Sequence, residues 1–416
     1  MIAEILATGD EIRSGALIDT NSAYLAEQLE AHGIPVTRHQ CVGDRLEDLV
    51  AVLKEIGERA DIAVVTGGLG PTSDDLTAAA AANAAGVDRV LDETALAAIE
   101  TFFQQRKRIM TASNKKQAML PRGSETLPNP LGTAPGFFMR IESCNFFFLP
   151  GVPPEMHRMF EDQVVPRLEK TGGTAGYHCL IETITTFGLT ESATGEKVAD
   201  LQSEFPQIRV GLRAKFPEIH IKLYLNGTDI GDMHERLAAA KAWVFSRIGR
   251  NVLSLNGESM QQVVGNLLRR RAETLAVAES CTGGRIANWL TDVSGSSDYF
   301  LFSGVTYAND AKIDILGVPR EVIEKFGAVH EETVKAMAQG ARRISEADYA
   351  VATSGVAGPT GGTEEKPVGT VCIGLATPRL LMGRTLFFPF GKRSMNKSIF
   401  AMAALDMLRR ELLRQG

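Results

Sequence analysis

The chain has 416 residues, of which 44% are hydrophobic and 23% charged. This balance excludes a disordered chain and a disulfide-framed miniprotein. The net charge of −6 argues against a dedicated nucleic-acid binder, which usually carries a basic surplus. The length predicts two or three domains, since one domain usually takes roughly 100–200 residues. The 40 glycines are the one excess, and they predict turns and ligand-facing loops.

Targeting and metal-binding signals are weak in this sequence. No stretch approaches the roughly 20 apolar residues of a membrane helix, and the N-terminal MIAEILATGDE lacks the pattern of a signal peptide. The five cysteines are scattered without a CxxC pair, and the histidines form no HxxxH or HxH pair. We therefore expect no zinc site, and we expect the reducing cytoplasm as the compartment.

The first part of the chain, up to about residue 165, predicts alternating strands and helices. Residues 1–7, 61–66 and 145–150 are apolar runs typical of strands, whereas residues 21–32 and 49–56 have helical spacing. A strand, a glycine loop and a helix in succession form the βαβ rhythm of a parallel sheet. Residues 171–176, TGGTAG, then read as a linker.

A small α+β module follows the linker, with strands predicted at 179–187 and 219–225 and a helix near 191–202. Beyond a turn-rich break at 255–258, alternation resumes. The predicted strands there are 274–279, 303–307, 349–354 and 369–376, and the predicted helices are 285–291, 331–343 and one from about 394. The predicted fold class is α/β, with an N-terminal three-layer domain and mainly parallel sheet (1–170), the α+β module (171–252) and a C-terminal α/β domain (253–416).

Two acidic segments each follow an apolar strand in the N-terminal domain. They are Gly9-Asp10-Glu11 and residues 66–77, TGGLGPTSDDLT. Ligands of open α/β sheets bind at the carboxyl ends of strands, and glycines let the backbone approach a phosphate. Carboxylates beside a phosphate loop need a bridging cation, and such oxygen-rich sites suit Mg²⁺ or Mn²⁺. The loop matches neither a P-loop nor a Rossmann fingerprint; the alternative is that Asp74 and Asp75 cap a helix.

The segment 278–284, AESCTGG, follows a strand and opens a helix in the C-terminal domain. The strand-to-helix turn and the helix N-terminus suit a serine nucleophile, Ser280, or a site for an oxyanion or phosphate. His330 is the one histidine of this domain, so a Ser–His–Asp triad is poorly supported. Lys312 can act as a base if burial lowers its pKa, and Tyr307 lies in the same segment. Cys281 is the rival nucleophile.

A third segment, residues 354–363 with sequence SGVAGPTGGT, follows another predicted strand. Its density of Gly, Ser and Thr predicts a backbone cradle for a phosphate or ribose. The alternative is a long surface turn.

These motifs together resemble the competence/damage-inducible protein CinA family over essentially the whole chain. The N-terminal part is similar to molybdopterin-binding domains of the MoaB/MogA type through TGDEI, the DTN at 19–21, TGGLGPTSDDLT and LPGVPPEM. The C-terminal part is similar to nicotinamide-nucleotide amidohydrolases through AESCTGG, VTYANDAK, GAVHEETV, SGVAGPTGG and EEKPVGTV. The fold expected from this resemblance agrees with the pattern of elements.

The resemblance implies a bifunctional enzyme of pyridine nucleotide salvage. Its C-terminal domain would hydrolyse nicotinamide mononucleotide (NMN) to nicotinate mononucleotide and ammonia without a cofactor. Its N-terminal domain would hydrolyse ADP-ribose to AMP and ribose 5-phosphate with a divalent cation (Mg, Mn or Co) and, in some members, potassium. The resemblance also implies a homodimer, and we expect no nucleic-acid or membrane partner. Two alternatives stay open: a non-catalytic N-terminal module that binds pterin or nucleotide in a competence or DNA-damage context, and an amidase for another small metabolite.

The same resemblance assigns roles to individual residues. Ser280 is the expected amidase nucleophile, with Tyr307 and Lys312 as its activating partners and the identity of the base left open. The expected metal ligands are Asp10, Glu11, Asp74 and Asp75. The expected substrate-binding residues are Asn21, Gly67, Gly68, Gly70, Thr72, Glu155, Thr282, Gly283, Gly284, Ser354, Gly355, Gly358, Gly361 and Arg393. The family often shows Gly-Asp-Arg where this chain has Gly391-Lys392-Arg393, so Arg393 alone is carried over there.

Overall fold

A computed structural model describes residues 1–170 and 178–414; the predicted linker at 171–176 lies outside the described residues. The chain divides into two compact units, Met1–Ile181 with Leu225–Glu235 and Glu182–Tyr224 with Arg236–Gly416. Each unit is an α/β structure, which confirms the predicted fold class. The finer division into three domains stays a prediction. None of the described helices is both long and apolar enough to span a membrane.

The first unit contains short strands alternating with helices over residues 1–170. Its strands are β1 (Ala3–Thr8), β2 (Val36–Val42), β3 (Ile62–Thr66), β4 (Arg89–Leu91), β5 (Met119–Pro121), β6 (Glu125–Leu127), β7 (Gly136–Ile141) and β8 (Cys144–Leu149). Its helices are α1 (Asp10–Arg13), α2 (Thr20–Ala31), α3 (Leu46–Arg59), α4 (Thr77–Ala85), α5 (Glu93–Gln105), α6 (Pro153–Met159) and α7 (Val165–Lys170). A 3₁₀ helix spans Ala112–Ala118, and a π-helical turn, Phe160–Val164, joins α6 to α7.

Six of these strands form one sheet in the order β2-β1-β3-β8-β7-β6. The pairs β1–β2, β1–β3 and β3–β8 are parallel, and the last two pairs are antiparallel. The strands β1 and β3 are buried along their whole length because apolar clusters cover both faces of the sheet. One cluster contains Leu6 and Val65, and the other contains Ile5 and Val64. Burial on both faces explains the uninterrupted apolar runs.

The second set of elements extends from residue 178 to residue 414. Its strands are β9 (His178–Thr186), β10 (Ile208–Lys215), β11 (Glu218–Gly227), β12 (Val252–Ser254), β13 (Leu275–Glu279), β14 (Phe300–Val305), β15 (Tyr349–Gly355), β16 (Thr370–Ala376) and β17 (Leu381–Phe387). Its helices are α8 (Glu191–Val198), α9 (Leu201–Glu204), α10 (Ile230–Ile248), α11 (Met260–Arg271), α12 (Arg285–Thr291), α13 (Asn309–Asp314), α14 (Arg320–Phe326), α15 (Glu331–Ser345) and α16 (Arg393–Arg414). Short 3₁₀ helices span Gly249–Asn251 and Ser296–Asp298.

Two sheets organise these elements. The first has the order β10-β11-β9-β12, and the second has the order β14-β13-β15-β16-β17. In the second sheet β13 pairs in parallel with β14 and β15, whereas β16 and β17 add in antiparallel fashion. Helix α16 belongs to the apolar cluster on one face, and α15 belongs to the cluster on the other. The amphipathic spacing of α15 therefore matches a helix that covers one side of a sheet.

Most predicted elements lie within a few residues of the observed ones, but some predictions were wrong. The strand predicted at 303–307 is Phe300–Val305, and the helix predicted near 191–202 is two helices separated by a short turn. The sequence analysis missed β2 and β17, whose sequences VTRHQCV and LMGRTLF mix polar and apolar residues because both are edge strands. Edge strands lack the continuous apolar run on which the prediction relied.

Candidate functional site

The glycine loop after β3 is held against β1 by close backbone packing. A β-carbon built on Gly67 would lie 2.5 Å from the Thr8 carbonyl oxygen, and one on Gly68 would lie 2.1 Å from Thr77 Oγ1. Thr77 Oγ1 donates to the Gly67 carbonyl at 2.9 Å. Both glycines also have positive φ angles, 106° and 64°. The conformation of the loop therefore requires glycine at both positions, whether or not a ligand approaches them.

A pocket of about 570 Å³ opens where β1, β3 and β8 end. It brings together many of the residues predicted for the N-terminal site, namely Glu11, Asn21, Gly67, Gly68, Gly70, Asp74, Asp75 and Glu155. It also contains Asp19, Asp44, Gln117 and Thr133, which the sequence analysis did not assign to the site. Asp10 and Thr72 are not among the lining residues.

The pocket is strongly acidic. Its lining residues include Glu11, Asp19, Asp44, Asp74, Asp75 and Glu155, and its described lining contains no Lys, Arg or His. Burial is the largest effect that raises the pKa of Asp44, and the charges of Asp10, Glu11 and Asp74 raise it further. These carboxylates therefore repel one another, and they would also repel an anionic ligand unless a cation bound between them and the ligand.

The predicted metal ligands differ in what they do in this structure. Asp10 accepts a hydrogen bond from Arg13 Nε at 3.0 Å, and its backbone N–H donates to Asp44 Oδ2 at 3.0 Å. Asp75 Oδ2 accepts from the backbone N–H of Thr72 at 2.8 Å. A hydrogen bond from Thr72 is the largest cause of the lowered pKa of Asp74. Within residues 1–170 and 178–414, no three His, Cys, Asp or Glu side chains are grouped to hold a metal ion.

The donor set nevertheless suits a hard divalent cation. Glu11, Asp44 and Asp74 all line one pocket, and carboxylate oxygens are ligands that Mg²⁺ and Mn²⁺ prefer. The mutual repulsion that contributes to the raised pKa of Asp44 is what a bound cation would relieve. Metal binding by Asp10, Glu11, Asp74 and Asp75 stays a prediction.

Asn21 and Glu155 tie the pocket walls together. Asn21 Nδ2 donates to Thr66 Oγ1 at 3.1 Å and to the Gly151 carbonyl at 2.8 Å. It thereby links the last residue of β3 to the loop that follows β8. Glu155 Oε2 accepts from Asn129 Nδ2 at 2.7 Å. The contacts seen for these two residues are structural, and their predicted role in substrate binding stays a prediction.

Ser280 lies directly after β13, at the carboxyl end of the strand. Its side chain is buried, and its backbone N–H donates to the Thr353 carbonyl at 3.0 Å. The Ser280 carbonyl accepts from the Gly283 N–H at 3.1 Å, which closes a tight turn. Thr282 Oγ1 is 2.8 Å from Thr353 Oγ1. The nucleophile candidate is therefore fixed between the ends of β13 and β15.

Glu279 caps the helix that follows the serine turn. Its carboxylate is fully buried and accepts from the N–H groups of Ile286 at 3.2 Å and Ala287 at 2.9 Å. These two N–H groups at the start of α12 are therefore already hydrogen-bonded. The negative charge at the N-terminus of α12 is therefore the carboxylate of Glu279.

Lys312 is buried, with 1% of its surface exposed. Its ammonium group donates to the carbonyls of Thr306 at 3.0 Å and Tyr307 at 2.9 Å, with a third, longer contact to Ala308 at 3.5 Å. Burial lowers the pKa of Lys312, although the Cys281 charge acts in the opposite direction. Ser280 and Lys312 form no hydrogen bond with each other in the described structure. Lys312 thus fixes the loop that carries Tyr307.

Arg393 joins two of the predicted segments. Its Nη1 donates to the Gly358 carbonyl at 2.6 Å, and its Nη2 donates to the Tyr307 hydroxyl at 3.1 Å. The Tyr307 side chain is 61% exposed. Residues from VTYANDAK, SGVAGPTGG and the start of α16 therefore meet at one place.

A second side chain of α16 holds the same glycine loop. Asn396 Nδ2 donates to the carbonyls of Ala357 at 3.0 Å and Phe390 at 2.9 Å. Asn396 thus ties the loop after β15 to the segment that enters α16. Its side chain is fully buried.

Cys281 and Gly355 are packing positions. A β-carbon on Gly355 would lie 2.5 Å from the Thr370 carbonyl oxygen and 3.3 Å from Cys281 Sγ. Burial raises the pKa of Cys281 to about 12, so the thiol is protonated at neutral pH and is a poor nucleophile. Gly361, in contrast, has open space where a side chain would point.

Comparison with known proteins decides the family. Two family models match in order: a probable molybdopterin binding domain over residues 4–170 and the CinA C-terminal domain over residues 257–412. A CinA-like protein of Desulfosudis oleivorans is 52% identical over 413 residues, covering 99% of this chain and 100% of its own length. The chain belongs to the CinA family.

Other CinA relatives resemble the chain more distantly. A CinA-like protein of Geobacter metallireducens is 42% identical over 414 residues, covering 99% of this chain and all of its own length. A crystal structure of CinA from Thermoplasma acidophilum, titled as of unknown function, is 33% identical. It covers 39% of this chain and 96% of its own, with a TM-score of 0.37.

Two residues of this CinA chain escaped the sequence analysis although signals for them were present. Asp44 follows β2 in a Gly-Asp pair, just as Asp10 follows β1. Glu279 lies in the AESCTGG motif, and an acidic residue shortly before a helix is a signal for a side chain that caps the helix.

Proposed function

We propose that this CinA-family chain is a hydrolase with two active sites. The C-terminal site would deamidate NMN to nicotinate mononucleotide and ammonia. The N-terminal site would hydrolyse ADP-ribose to AMP and ribose 5-phosphate with a divalent cation. By the same family resemblance we propose a homodimer, for which sedimentation of the purified chain is the direct test.

The observation that carries the amidase proposal is the junction formed by Arg393. It brings Tyr307 and the Gly358 loop together. The motifs that carry them follow β14 and β15, at the carboxyl end of the sheet where Ser280 follows β13. Amide hydrolysis needs a nucleophile, a base and donors for the oxyanion. A serine at a strand end, a buried lysine of lowered pKa and those N–H groups of the turn after Ser280 that are not already hydrogen-bonded can supply these functions.

The proposed amidase mechanism proceeds through an acyl-enzyme. Ser280 Oγ attacks the carboxamide carbon while its proton passes to the neutral Lys312 amine through an intervening group, because the two side chains share no hydrogen bond in the described structure. The tetrahedral intermediate collapses, and its C–N bond breaks as the proton moves to the leaving nitrogen and ammonia departs. Water then attacks the ester carbon, giving the nicotinate carboxylic acid, and Ser280 recovers its proton. This sequence consumes one water per amide.

Ammonia release from NMN tests the amidase proposal. Ser280→Ala should lower kcat by about 10³-fold or more, because the nucleophile is lost. Ser345→Ala, at the end of α15, is the matched control and should retain wild-type turnover. Undiminished activity in Ser280→Ala would remove Ser280 from the mechanism.

The N-terminal proposal rests on the acidic pocket between strand ends. Its glycine loop can approach a phosphate, but its lining carboxylates would repel a pyrophosphate on their own. A bound divalent cation would offset this charge and polarise the phosphoryl oxygen. The carboxylates that would hold it are those of Glu11, Asp44, Asp74 and Asp75. Asn21 and Thr77 keep the loops in position.

AMP formation from ADP-ribose tests this second activity. We expect turnover with added Mg²⁺, Mn²⁺ or Co²⁺ and none with EDTA. Asp75→Asn should weaken this reaction and leave NMN deamidation at the wild-type rate. Equal rates with and without EDTA would contradict the metal requirement.

A non-catalytic N-terminal module is the alternative that a specific feature favours. Within the described residues the carboxylates do not form a preassembled metal site, and the matching family model is named for molybdopterin binding. Calorimetric titration with pterin and with ADP-ribose, alongside the AMP assay, separates binding from turnover. Tight binding of either ligand without AMP formation would favour the module.

A further inference from the structure

The turn between β10 and β11 reaches the segment that enters α16. The two strands are neighbours in their sheet, and only Phe216 and Pro217 join them. The Phe216 ring packs edge to face against the Phe390 ring, with the centroids 5.0 Å apart and the planes at 82°. Such a ring pair stabilises a contact by more than the apolar area that it buries. A residue of the predicted α+β module is therefore packed against the approach to α16.

A buried carboxylate fixes the same turn from a second side. Glu218, the first residue of β11, is 4% exposed, and its Oε1 accepts from the backbone N–H of Met260 at 3.4 Å. Met260 begins α11 and belongs to the apolar cluster of α16, against which Phe390 also packs. The turn and the approach to α16 thus rest on one core. This anchoring keeps the Phe216 ring in position against Phe390.

Phe390 is the last partly buried side chain before Arg393. Gly391, Lys392 and Arg393 are exposed, and a β-carbon built on Gly391 would meet open space. The Phe390 carbonyl accepts from Asn396 Nδ2 at 2.9 Å, whereas the Phe390 ring is held by packing. The place where α16 begins therefore depends on how firmly this ring is held.

We propose that Phe216 is a positioning residue of the amidase site. Its ring holds Phe390, Phe390 sets the start of α16, and Arg393 at that start donates to the Tyr307 hydroxyl. The inference rests on the proposed deamidation of NMN. Phe216 lies outside residues 257–412, which match the CinA C-terminal domain, so the α+β module would contribute to the amidase beyond linking two domains.

Ammonia release from NMN tests the role of Phe216. Phe216→Ala should lower kcat/KM by about three- to tenfold, the range that one edge-to-face ring pair supplies. The loss should appear mainly as a higher KM, because the substrate must then order the approach to α16 when it binds. Phe216→Tyr, which keeps the ring, should retain most of the activity. Phe245→Ala is the matched control: its ring is 51% exposed on α10, and wild-type kinetics are expected.

A double-mutant cycle with Arg393→Lys separates positioning from a general loss of stability. If Phe216 acts through Arg393, Phe216→Ala should cost less in the Arg393→Lys background than in the wild type. A merely structural role would give the same loss in both backgrounds. Equal losses, or an unchanged kcat/KM in Phe216→Ala, would overturn the positioning role.

Amide hydrogen exchange tests the same contact without turnover. Should the wild type release no ammonia from NMN, the amidase proposal fails by itself, and this measurement still applies. In Phe216→Ala the amides of residues 388–396 should exchange about three- to tenfold faster than in the wild type, whereas the amides of β9 in the same module should keep their rates. Unchanged exchange at 388–396, or an equal rise in β9, would show that Phe216 does not hold this segment.

Discussion

Arg393 Nη2 donates to the Tyr307 hydroxyl at 3.1 Å across 86 positions of sequence. The bond joins the loop after β14 to the first residue of α16, and the same guanidinium also reaches the Gly358 carbonyl. A planar guanidinium can bind two acceptors at fixed separation, which a single ammonium cannot do. The arginine therefore sets the orientation of Tyr307 as well as its electrostatic environment.

Arg393→Lys should therefore damage the amidase although it keeps the positive charge. We expect kcat/KM for NMN to fall by about 10–100-fold, the scale of one charge-assisted hydrogen bond of roughly 1.5–3 kcal/mol. In a double-mutant cycle with Tyr307→Phe, the two losses should be less than additive because both remove the same bond. Arg384→Lys on the exposed face of β17 is the control and should be neutral. Fully additive losses would show that the two side chains act independently.

The amidase should gain activity with rising pH because Lys312 must lose its proton to act as a base. Burial lowers the pKa of Lys312 from its ordinary value of 10.5. Below the lowered pKa the lysine is protonated and inactive, so kcat/KM should rise through that pKa and level off above it. The midpoint of the rise should lie below 10.5, and Lys312→Arg should abolish the rise along with most activity. A flat pH profile for the wild type would exclude Lys312 as the base.

Thiol reagents should not inactivate the amidase. Burial raises the pKa of Cys281 to about 12, so only about one molecule in ten thousand carries the thiolate at pH 8. Iodoacetamide should label the exposed Cys41 while Cys281 stays unmodified and ammonia release from NMN is retained. Peptide mapping by mass spectrometry gives the sites of labelling. Rapid labelling of Cys281 with parallel loss of activity would make the cysteine the nucleophile.

Asp44→Asn should remove one negative charge from the acidic pocket without changing the structure of the pocket. The asparagine keeps an oxygen that can accept the Asp10 N–H but removes one of the carboxylates that repel each other. We expect the concentration of Mn²⁺ that gives half-maximal AMP formation to rise by about tenfold, since one charged ligand is lost. Glu58→Gln, an exposed residue of α3, should leave that concentration unchanged. An unaltered metal requirement in Asp44→Asn would remove Asp44 from the cation site.

The strand-end positions of the motifs could be predicted because buried parallel strands leave uninterrupted apolar runs. The runs that became β1, β3 and β13 each end where a motif begins. The edge strand β2 was missed, and with it the Gly43-Asp44 pair at its end. The contacts of Arg393 depend on how α16 lies across two loops that precede it by many positions, and no local pattern encodes that.

Residue types alone also could not separate ligand-facing glycines from packing glycines. Gly355 and Gly361 lie in one motif, yet a side chain at Gly355 would strike the Thr370 carbonyl whereas one at Gly361 would meet open space. The distinction comes from β16, which lies alongside β15. Similarly, the sequence analysis gave Glu279 no role, whereas in the structure its carboxylate caps helix α12.

The side-chain amide of Asn396 has a consequence for how a ligand is received. Because one Nδ2 group serves both Ala357 and Phe390, the glycine loop and the approach to α16 lose or keep conformational freedom together. A ligand group that orders one of them leaves less entropy to be lost when another group of the same ligand contacts the other. If the site binds a nucleotide as proposed, a fragment that contacts only the glycine loop should bind more weakly than its share of the contacts implies. A fragment that contacts only the approach to α16 should be weak for the same reason.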